Sequence, residues 1–179
     1  DHSAYGVKVL FDEGMIRRFL PEDKWDSIIY TAIAHHSDYE LPEISDPQTL
    51  LHAKLIRDED KLDNCRVKLV DSTSTFINVS EEELGTQNIT QKVYETVFEN
   101  KCILSADRVT QMDHWVSYIV YFFDINFKES FDIIAENDYL NRIIDRSSYS
   151  NPATKEQMEE IRVYMQNFIN LHHTNSQSF

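Results

Sequence analysis

Glycine and proline are scarce in this chain, and that scarcity limits what it can fold into. Only three glycines and four prolines occur in 179 residues. β-Sandwiches and β-barrels need many tight turns, which these residues supply, and disordered linkers are rich in both. Apolar side chains recur at helical spacing along most of the sequence, whereas alternation with a period of two is nearly absent. The sequence therefore predicts an all-α fold, long enough to bury a core.

The apolar periodicity predicts seven helices. They cover residues 1–19, 21–36, 50–70, 91–100, 106–123, 127–135 and 155–171. Pro21 suits the first turn of the second helix, where its missing N–H costs nothing. Two prolines indicate that residues 37–47 form a loop. Residues 72–79 are the one segment whose pattern fits an extended strand.

Polar residues before apolar runs predict where some helices begin. Ser80 with Glu83 and Thr154 with Gln157 both have the spacing of a capping box, in which two side chains satisfy the first free N–H groups of a helix. In the first predicted helix, Phe19 is expected to face inward with the other apolar residues.

The charge and cysteine content restrict the partners and the compartment. The chain has 31 acidic and 17 basic residues, a formal net charge of −14. Nucleic-acid affinity comes mainly from neutralising phosphates, so a stable nucleic-acid partner is not expected. Cys65 and Cys102 are expected to be reduced thiols of a cytoplasmic protein. The longest uncharged apolar run, residues 115–123, is too short to span a membrane.

Three polar residues occupy positions that helical periodicity turns toward apolar surroundings. His36 shares a stripe with apolar residues such as Ile33, and His2 lies in line with Gly6, whose lack of a side chain permits a close helix contact. Asp60 lies inside an apolar arc formed by Leu51, Ala53, Leu55, Ile56 and Leu62. A carboxylate directed toward a core is costly unless a cation or hydrogen bonds receive it. Neutral imidazoles with a carboxylate suit a divalent metal ion.

The residues alone leave other interpretations open. Asp60 fits a solvated charge run or a buried Asp–Arg pair, and a single histidine on an apolar face is usually a core or capping residue. His35 points about 100° away from His36. His52 lies two turns before Asp60, about 12 Å away along the helix, which is too far to share an ion.

Short strings along the whole chain carry a resemblance to a known family. They are Asp1-His2, Tyr5-Gly6-Val7, Ala32-Ile33 with His36, Ile56-Arg57-Asp58-Glu59-Asp60-Lys61-Leu62-Asp63, Thr110-Gln111-Met112-Asp113, Trp115-Val116-Ser117-Tyr118, Phe123-Asp124, Asn126-Phe127, Asp145-Arg146 and Thr154-Lys155. Together they resemble the HD superfamily of metal-dependent phosphohydrolases, and more narrowly the predicted bacterial HD-superfamily hydrolases.

The resemblance implies an HD-domain/PDEase-like helical bundle with a divalent metal ion: Mn, Fe, Ni, Zn, Co or Mg. Asp60 matches the late metal-binding Asp of the family and would be a direct ligand. His36 and His2 match further histidines of its site, which would serve a second ion or orient water and phosphate. Arg57 and Lys61 would contact a substrate phosphate, although a solvated helix face is the simpler alternative. Residues 1–70 would be the later part of the metal-site helices, and residues 71–179 additional helices on the same domain.

One departure from the family pattern concerns the metal site. The 179 residues contain no His-Asp dipeptide. In the family, that dipeptide and an earlier His would precede Asp1, so the chain is expected to be part of a longer protein and to lack a complete coordination shell by itself. The implied activity is hydrolysis of a small phosphorylated substrate, including nucleotides. The alternative is a non-catalytic binding or oligomerisation module, and the apolar stretch 115–131 predicts a homodimer.

Overall fold

The computed structural model describes residues 2–174, and no β-strand occurs among them, which confirms the all-α prediction. Ten α-helices lie in this part of the chain. They are α1 His2–Val7, α2 Asp26–His35, α3 Pro47–Val70, α4 Thr73–Ile77, α5 Glu81–Leu84, α6 Gln91–Val97, α7 Gln111–Ile119, α8 Lys128–Glu136, α9 Tyr139–Ile144 and α10 Pro152–Thr174.

The chain forms two compact units that meet in sequence between Asp60 and Lys61. The first unit contains α1, α2 and the part of α3 up to Asp60. The second contains the rest of α3 and the helices α4 to α10. The division predicted at residue 70 stays a prediction.

The beginning of the chain is more broken than the single helix predicted for residues 1–19. α1 continues as a π-helical turn, Lys8–Asp12, and a 3₁₀ turn follows at Met15–Arg18. Gly14 separates the two turns with a φ of 72°, a left-handed conformation that ends a helix and that glycine adopts without steric cost. The inward position predicted for Phe19 is wrong, because its side chain is 71% exposed.

The second helix begins later than predicted. Pro21 does not open it: residues 21–25 form bends and turns, and α2 begins at Asp26. The loop predicted for residues 37–47 is confirmed up to Asp46. Asp46 then caps α3, since its carboxylate accepts hydrogen bonds from the Thr49 hydroxyl at 2.6 Å and the Thr49 N–H at 2.8 Å. These bonds lower the pKa of Asp46 below its usual value, the hydroxyl bond having the larger effect.

The core of the second unit is assembled from α3 and from every later helix. Trp115, Val116 and Ile119 of α7 are fully buried at its centre. Side chains from the other helices surround them, namely Leu62, Cys65, Ile77, Leu84, Val93, Val97, Phe131, Ile134, Leu140, Ile143, Ile144, Met158, Ile161, Met165 and Ile169. α10 contributes apolar residues spaced three and four apart, as expected of a helix with one buried face.

The predicted homodimer rested on the apolar stretch 115–131. In the structure Trp115, Phe122 and Phe131 are buried within the second unit itself, at 0%, 1% and 3% exposure. Packing inside the chain therefore accounts for these side chains, and the apolar content of the stretch no longer indicates a dimer. Dimerisation remains a prediction without this support.

Several predicted elements of the second unit need correction. Residues 72–79 are not extended but contain α4. The helix predicted for 106–123 is interrupted at Thr110, whose hydroxyl accepts from the Asp113 N–H while the Asp113 carboxylate accepts from the Thr110 N–H, both at 3.0 Å. This capping box starts α7 anew. The cap predicted at Thr154 is wrong, because Asn151 caps α10 instead.

Ser80 does begin a helix as predicted, since its hydroxyl accepts a hydrogen bond from the Glu83 N–H at 3.1 Å. No helix among residues 2–174 combines the length and apolar character that a membrane span requires.

The segment around α5 is joined to the chain that leads into α10. The Gly85 carbonyl accepts hydrogen bonds from the N–H groups of Ser150 at 3.0 Å and Asn151 at 3.1 Å. Nearby, the Ser147 hydroxyl donates to the Glu81 carbonyl at 2.8 Å. Gly85 lies so close that a Cβ there would overlap the Ser148 carbonyl and stand 2.9 Å from its carbon. The absence of a side chain at Gly85 permits this backbone contact.

We expect Gly85→Ala to destabilise the second unit by about 2–3 kcal/mol, since the added methyl must displace backbone rather than a flexible side chain. Gly14→Ala is the matched control. A Cβ at Gly14 would meet nothing within 4 Å, and only the positive φ opposes it, a cost of about 1 kcal/mol. Urea unfolding of both variants checks this. Equal effects of the two substitutions would contradict the close contact at Gly85.

The two cysteines should differ in reactivity. Burial raises the pKa of the Cys65 thiol to about 12, and the thiolate is the reactive form. At pH 8 Cys65 therefore remains a protonated, inaccessible thiol. Cys102 is only partly buried. We expect a thiol reagent such as DTNB to modify about one thiol in the native protein, lost in Cys102→Ser and retained in Cys65→Ser. Rapid modification of Cys65 in the folded protein would contradict this.

Candidate metal centre

His2, His36 and Asp60 lie together in the first unit, although the first and the last are 58 positions apart in the sequence. One ligand atom of each is within 4.8 Å of the others. α1 supplies His2, the residue after the end of α2 is His36, and α3 supplies Asp60. Among residues 2–174, it is the one cluster of at least three His, Cys, Asp or Glu side chains whose ligand atoms lie close enough to hold one ion.

The packing of α1 against α2 brings the two imidazoles together. Gly6 lies on the contact, where a Cβ would be 3.4 Å from the Ile33 side chain. The hydroxyls of Ser3 and Ser37 form a hydrogen bond that joins the start of α1 to the chain after α2. Because Ser3 follows His2 and Ser37 follows His36, this bond holds both histidine backbones close to each other.

The hydrogen bonds of His36 determine which of its nitrogens carries the proton. Nδ1 lies 2.7 Å from the carbonyl oxygen of Ile33, which can only accept, so Nδ1–H donates to it. In the neutral ring Nε2 then keeps its lone pair. A backbone carbonyl that accepts from the other nitrogen is the usual outer partner of a metal-binding histidine. His36 is thus already in the tautomer that metal ligation through Nε2 needs.

The Nε2 atoms of His2 and His36 are 2.7 Å apart, and the rings meet edge to face with their centres 4.7 Å apart. Since Nε2 of His36 has the lone pair, Nε2–H of His2 donates this bond. Two nitrogens on one ion stand about 3.3 Å apart, because each metal–nitrogen bond is about 2.0–2.1 Å. Ligation would therefore separate the rings by roughly half an ångström and move the His2 proton to Nδ1.

The side chain of Asp60 is half-buried on α3 beside these rings. The apolar arc that led to Asp60 is wrong in detail: Leu51 and Leu55 are 45% and 40% exposed. Ala53 is buried as predicted, at 0% exposure, but the buried face of α3 in this unit also carries Arg57 and Asp58, both at 2% exposure. Arg57 can be buried there because backbone carbonyls accept hydrogen bonds from its guanidinium.

Two imidazoles and one carboxylate fit a divalent transition metal in ligand type and in number. Closed structural sites use four protein ligands, whereas three leave a position for water or substrate. His2 is exposed and the other two are half-buried, so a small molecule can reach the group from solvent. This set of donors suits several first-row metals and does not select one of them.

Arg57 and Lys61, the predicted substrate-binding residues, do not lie on a solvated helix face. Arg57 is 2% exposed, and its guanidinium donates to backbone carbonyls at the end of α2 and just beyond it. Lys61 is 7% exposed, and its ammonium pairs with Asp124 of the second unit at 2.7 Å. The solvated-face alternative is therefore wrong for both. A contact with substrate phosphate stays a prediction.

The remaining histidines of the described region contribute no ligand to this group. His35 pairs with Asp38 at 2.6 Å, in agreement with its predicted direction away from His36. His52 is exposed on α3. His114 is half-buried in the second unit, where burial and the charge of Arg108 lower its pKa.

Sequence reasoning missed the backbone partners of this site. The Ile33 carbonyl that orients His36 carries no sequence signal of its own. One signal was present for Arg57: no glycine follows α2 to close it, so the terminal carbonyls of α2 need donors from elsewhere, although the sequence does not say which residue supplies them.

Comparisons with known proteins do not assign this chain to a family. No family model matches the chain, and no curated protein or solved structure shows significant similarity to it.

We expect the protein to bind about one equivalent of Zn²⁺ or Co²⁺. His36→Ala and Asp60→Asn should each weaken binding by at least about tenfold, because the first removes a ligand and the second replaces a charged carboxylate with a neutral amide. His52→Ala, an exposed histidine on α3, is the matched control and should bind as the wild type does. Isothermal titration calorimetry with elemental analysis measures both affinity and stoichiometry. Unchanged binding in Asp60→Asn would remove that carboxylate from the site.

Proposed function

We propose that this chain holds a divalent transition-metal ion with His2, His36 and Asp60, and that the site serves hydrolysis of a phosphate ester or phosphoanhydride. The observation that carries the proposal is the set of three ligands: they lie within 4.8 Å of one another and their site is reachable from solvent. A site with three protein ligands keeps a position for water or substrate, as catalytic sites do.

A bound ion would lower the pKa of a bound water and neutralise charge on phosphoryl oxygens. The residues of the chain prepare this chemistry. The Ile33 carbonyl keeps the Nδ1 proton of His36, so Nε2 is available without a prior proton transfer. The α1–α2 contact at Gly6 holds His2 opposite that lone pair. The carboxylate of Asp60 supplies negative charge that offsets part of the charge of the ion.

The overall charge supports a metal-dependent mechanism for a phosphorylated substrate. With a net charge of −14, the protein repels anions over most of its surface. The predicted cationic contacts are engaged inside the protein: Arg57 bonds carbonyls and Lys61 pairs with Asp124. A metal cation would supply the positive charge that a phosphate needs locally.

The resemblance to HD-type phosphohydrolases supports the reaction class, since Asp60, His36 and His2 are the residues that it assigns to metal. The missing His-Asp dipeptide favours a second candidate, a metal-binding module without hydrolytic activity, because the 179 residues contain no such dipeptide to complete the site. Both candidates require the same ion, and they differ in whether phosphate hydrolysis follows.

Activity measurements separate the two candidates. We expect the 179-residue chain to bind metal but to hydrolyse neither p-nitrophenyl phosphate nor a nucleotide panel above buffer. A longer protein that supplies a His-Asp dipeptide before Asp1 should be active, with EDTA abolishing the activity and Mn²⁺ or Co²⁺ restoring it. In that longer protein, Asp60→Asn should reduce kcat/KM for phosphate hydrolysis by at least about 100-fold.

Asp63→Asn is the control for that substitution, because Asp63 lies on the same helix, is exposed and pairs with Arg66. It should retain wild-type kcat/KM. Metal binding without activity in the longer protein would support the non-catalytic module. Activity that survives Asp60→Asn would contradict the proposed site.

A further inference from the structure

The carboxyl end of α2 carries His36, and its backbone carbonyls need hydrogen-bond donors. The last four carbonyls of any α-helix have no partner inside the helix. A residue in the left-handed conformation just beyond the end, usually glycine, often provides the closing bonds. α2 ends differently. His36 is right-handed, with φ −66° and ψ −29°, and no residue from 37 to 46 has a positive φ.

Arg57 supplies donors at this end from α3. Nη1 of its guanidinium lies 3.0 Å from the carbonyl oxygen of His35, 3.3 Å from that of His36 and 2.8 Å from that of Asp38. Nη2 lies 3.5 Å from the carbonyl oxygen of Tyr39. The two N–H groups of Nη1 are thus shared among three carbonyls, while Nη2 faces a fourth. Its positive charge also suits the negative end of the α2 dipole.

The same turn of α3 carries the carboxylate of the candidate metal centre. Asp60 follows Arg57 by three residues, a spacing that places two side chains on neighbouring positions of one helix surface. The helical rise between them is about 4.5 Å. His36 is therefore connected to Asp60 through one rigid path: its own carbonyl, the buried guanidinium and a single turn of α3.

We propose that Arg57 is a positioning residue that sets the distance and angle between the His36 imidazole and the Asp60 carboxylate. This inference rests on the proposed function, because it assigns Arg57 a role at the same metal site. It replaces the substrate contact predicted for Arg57 with a contact to the protein backbone. The guanidinium, 2% exposed, acts on the ion only through the two ligands that it connects.

Lysine cannot substitute for arginine in this role. Its ammonium keeps the positive charge, but the lysine side chain ends one bond short of the position of Nη1. It also has no second nitrogen for the Tyr39 carbonyl. Arg57→Lys therefore separates charge from geometry, and Arg57→Gln removes the charge while keeping a shorter donor. If charge alone mattered, the lysine variant would behave as the wild type does.

Co²⁺ titration followed by visible absorption tests the inference, because the ligand-field bands of Co²⁺ report coordination geometry. We expect both Arg57 variants to bind Co²⁺ about 10- to 100-fold more weakly than the wild type, the range found for outer partners of metal ligands. At saturating Co²⁺ their absorption bands should also differ from those of the wild type. A residue that only stabilised the fold would leave the saturated spectrum unchanged.

Arg66→Lys and Arg66→Gln are the matched controls. Arg66 lies on the same helix, is exposed and bonds Asp63 at 2.8 Å. Both control variants should keep the wild-type affinity and spectrum. Arg57 variants that also keep them would overturn the inference. Absence of Co²⁺ binding by the wild type would instead overturn the proposed function and remove the site that Arg57 positions.

If circular dichroism shows that neither Arg57 variant folds, an NMR measurement on the wild type tests the positioning role of Arg57 instead. In protein labelled with ¹⁵N in the arginine guanidinium groups, addition of Zn²⁺ should shift the Arg57 signals, because the carbonyls that it bonds belong to the chain carrying His36. The signals of Arg66 should stay in place. Arg57 signals that do not respond to saturating Zn²⁺ would overturn the inference.

Discussion

The hydrogen bonds from Arg57 to the chain after α2 organise the part of the first unit where the candidate ligands meet. They close a helix whose sequence offers no glycine for that purpose, and they do so from α3, which also carries Asp60. The Ser3–Ser37 hydrogen bond then joins α1 to the same short stretch. Three segments that are distant in sequence thus share one junction, and each contributes one member of the His2, His36 and Asp60 group.

Buried charge is the recurrent feature of α3. Arg57 bonds carbonyls in the first unit, whereas in the second unit Lys61 pairs with Asp124 and the Lys68 ammonium lies over the Tyr118 ring at 4.1 Å. Removing a charge from water is costly, and hydrogen bonds, an opposite charge or an aromatic face offset that cost. Truncating a partner would remove a contact that offsets the cost of burying the charge, so these contacts constrain the fold more than their number suggests.

The sequence predicted helices well where apolar spacing was regular and uninterrupted. α3, α8 and α10 begin and end within three residues of the predicted bounds. The errors arose where local polar chemistry overrides that spacing. The capping box of Thr110 and Asp113 begins α7 inside the segment that was predicted as one helix from 106 to 123. Gly14 interrupts the helix that was predicted for residues 1–19.

The three candidate ligands could be predicted from their positions in the helical pattern and from the family resemblance. The role of Arg57 could not, since its partners are backbone carbonyls that have no side-chain identity.

The contact at Gly85 has a consequence for how the second unit acquires its structure. Its carbonyl meets the N–H groups of Ser150 and Asn151, which are 65 and 66 residues further along the chain. Bringing such distant segments together costs the chain configurational entropy before any of these bonds form. All-helical proteins dominated by local contacts usually fold fastest. We therefore expect stopped-flow refolding of this chain to be slower than that of a simple helical bundle of equal length, with the arrival of α10 as the late step.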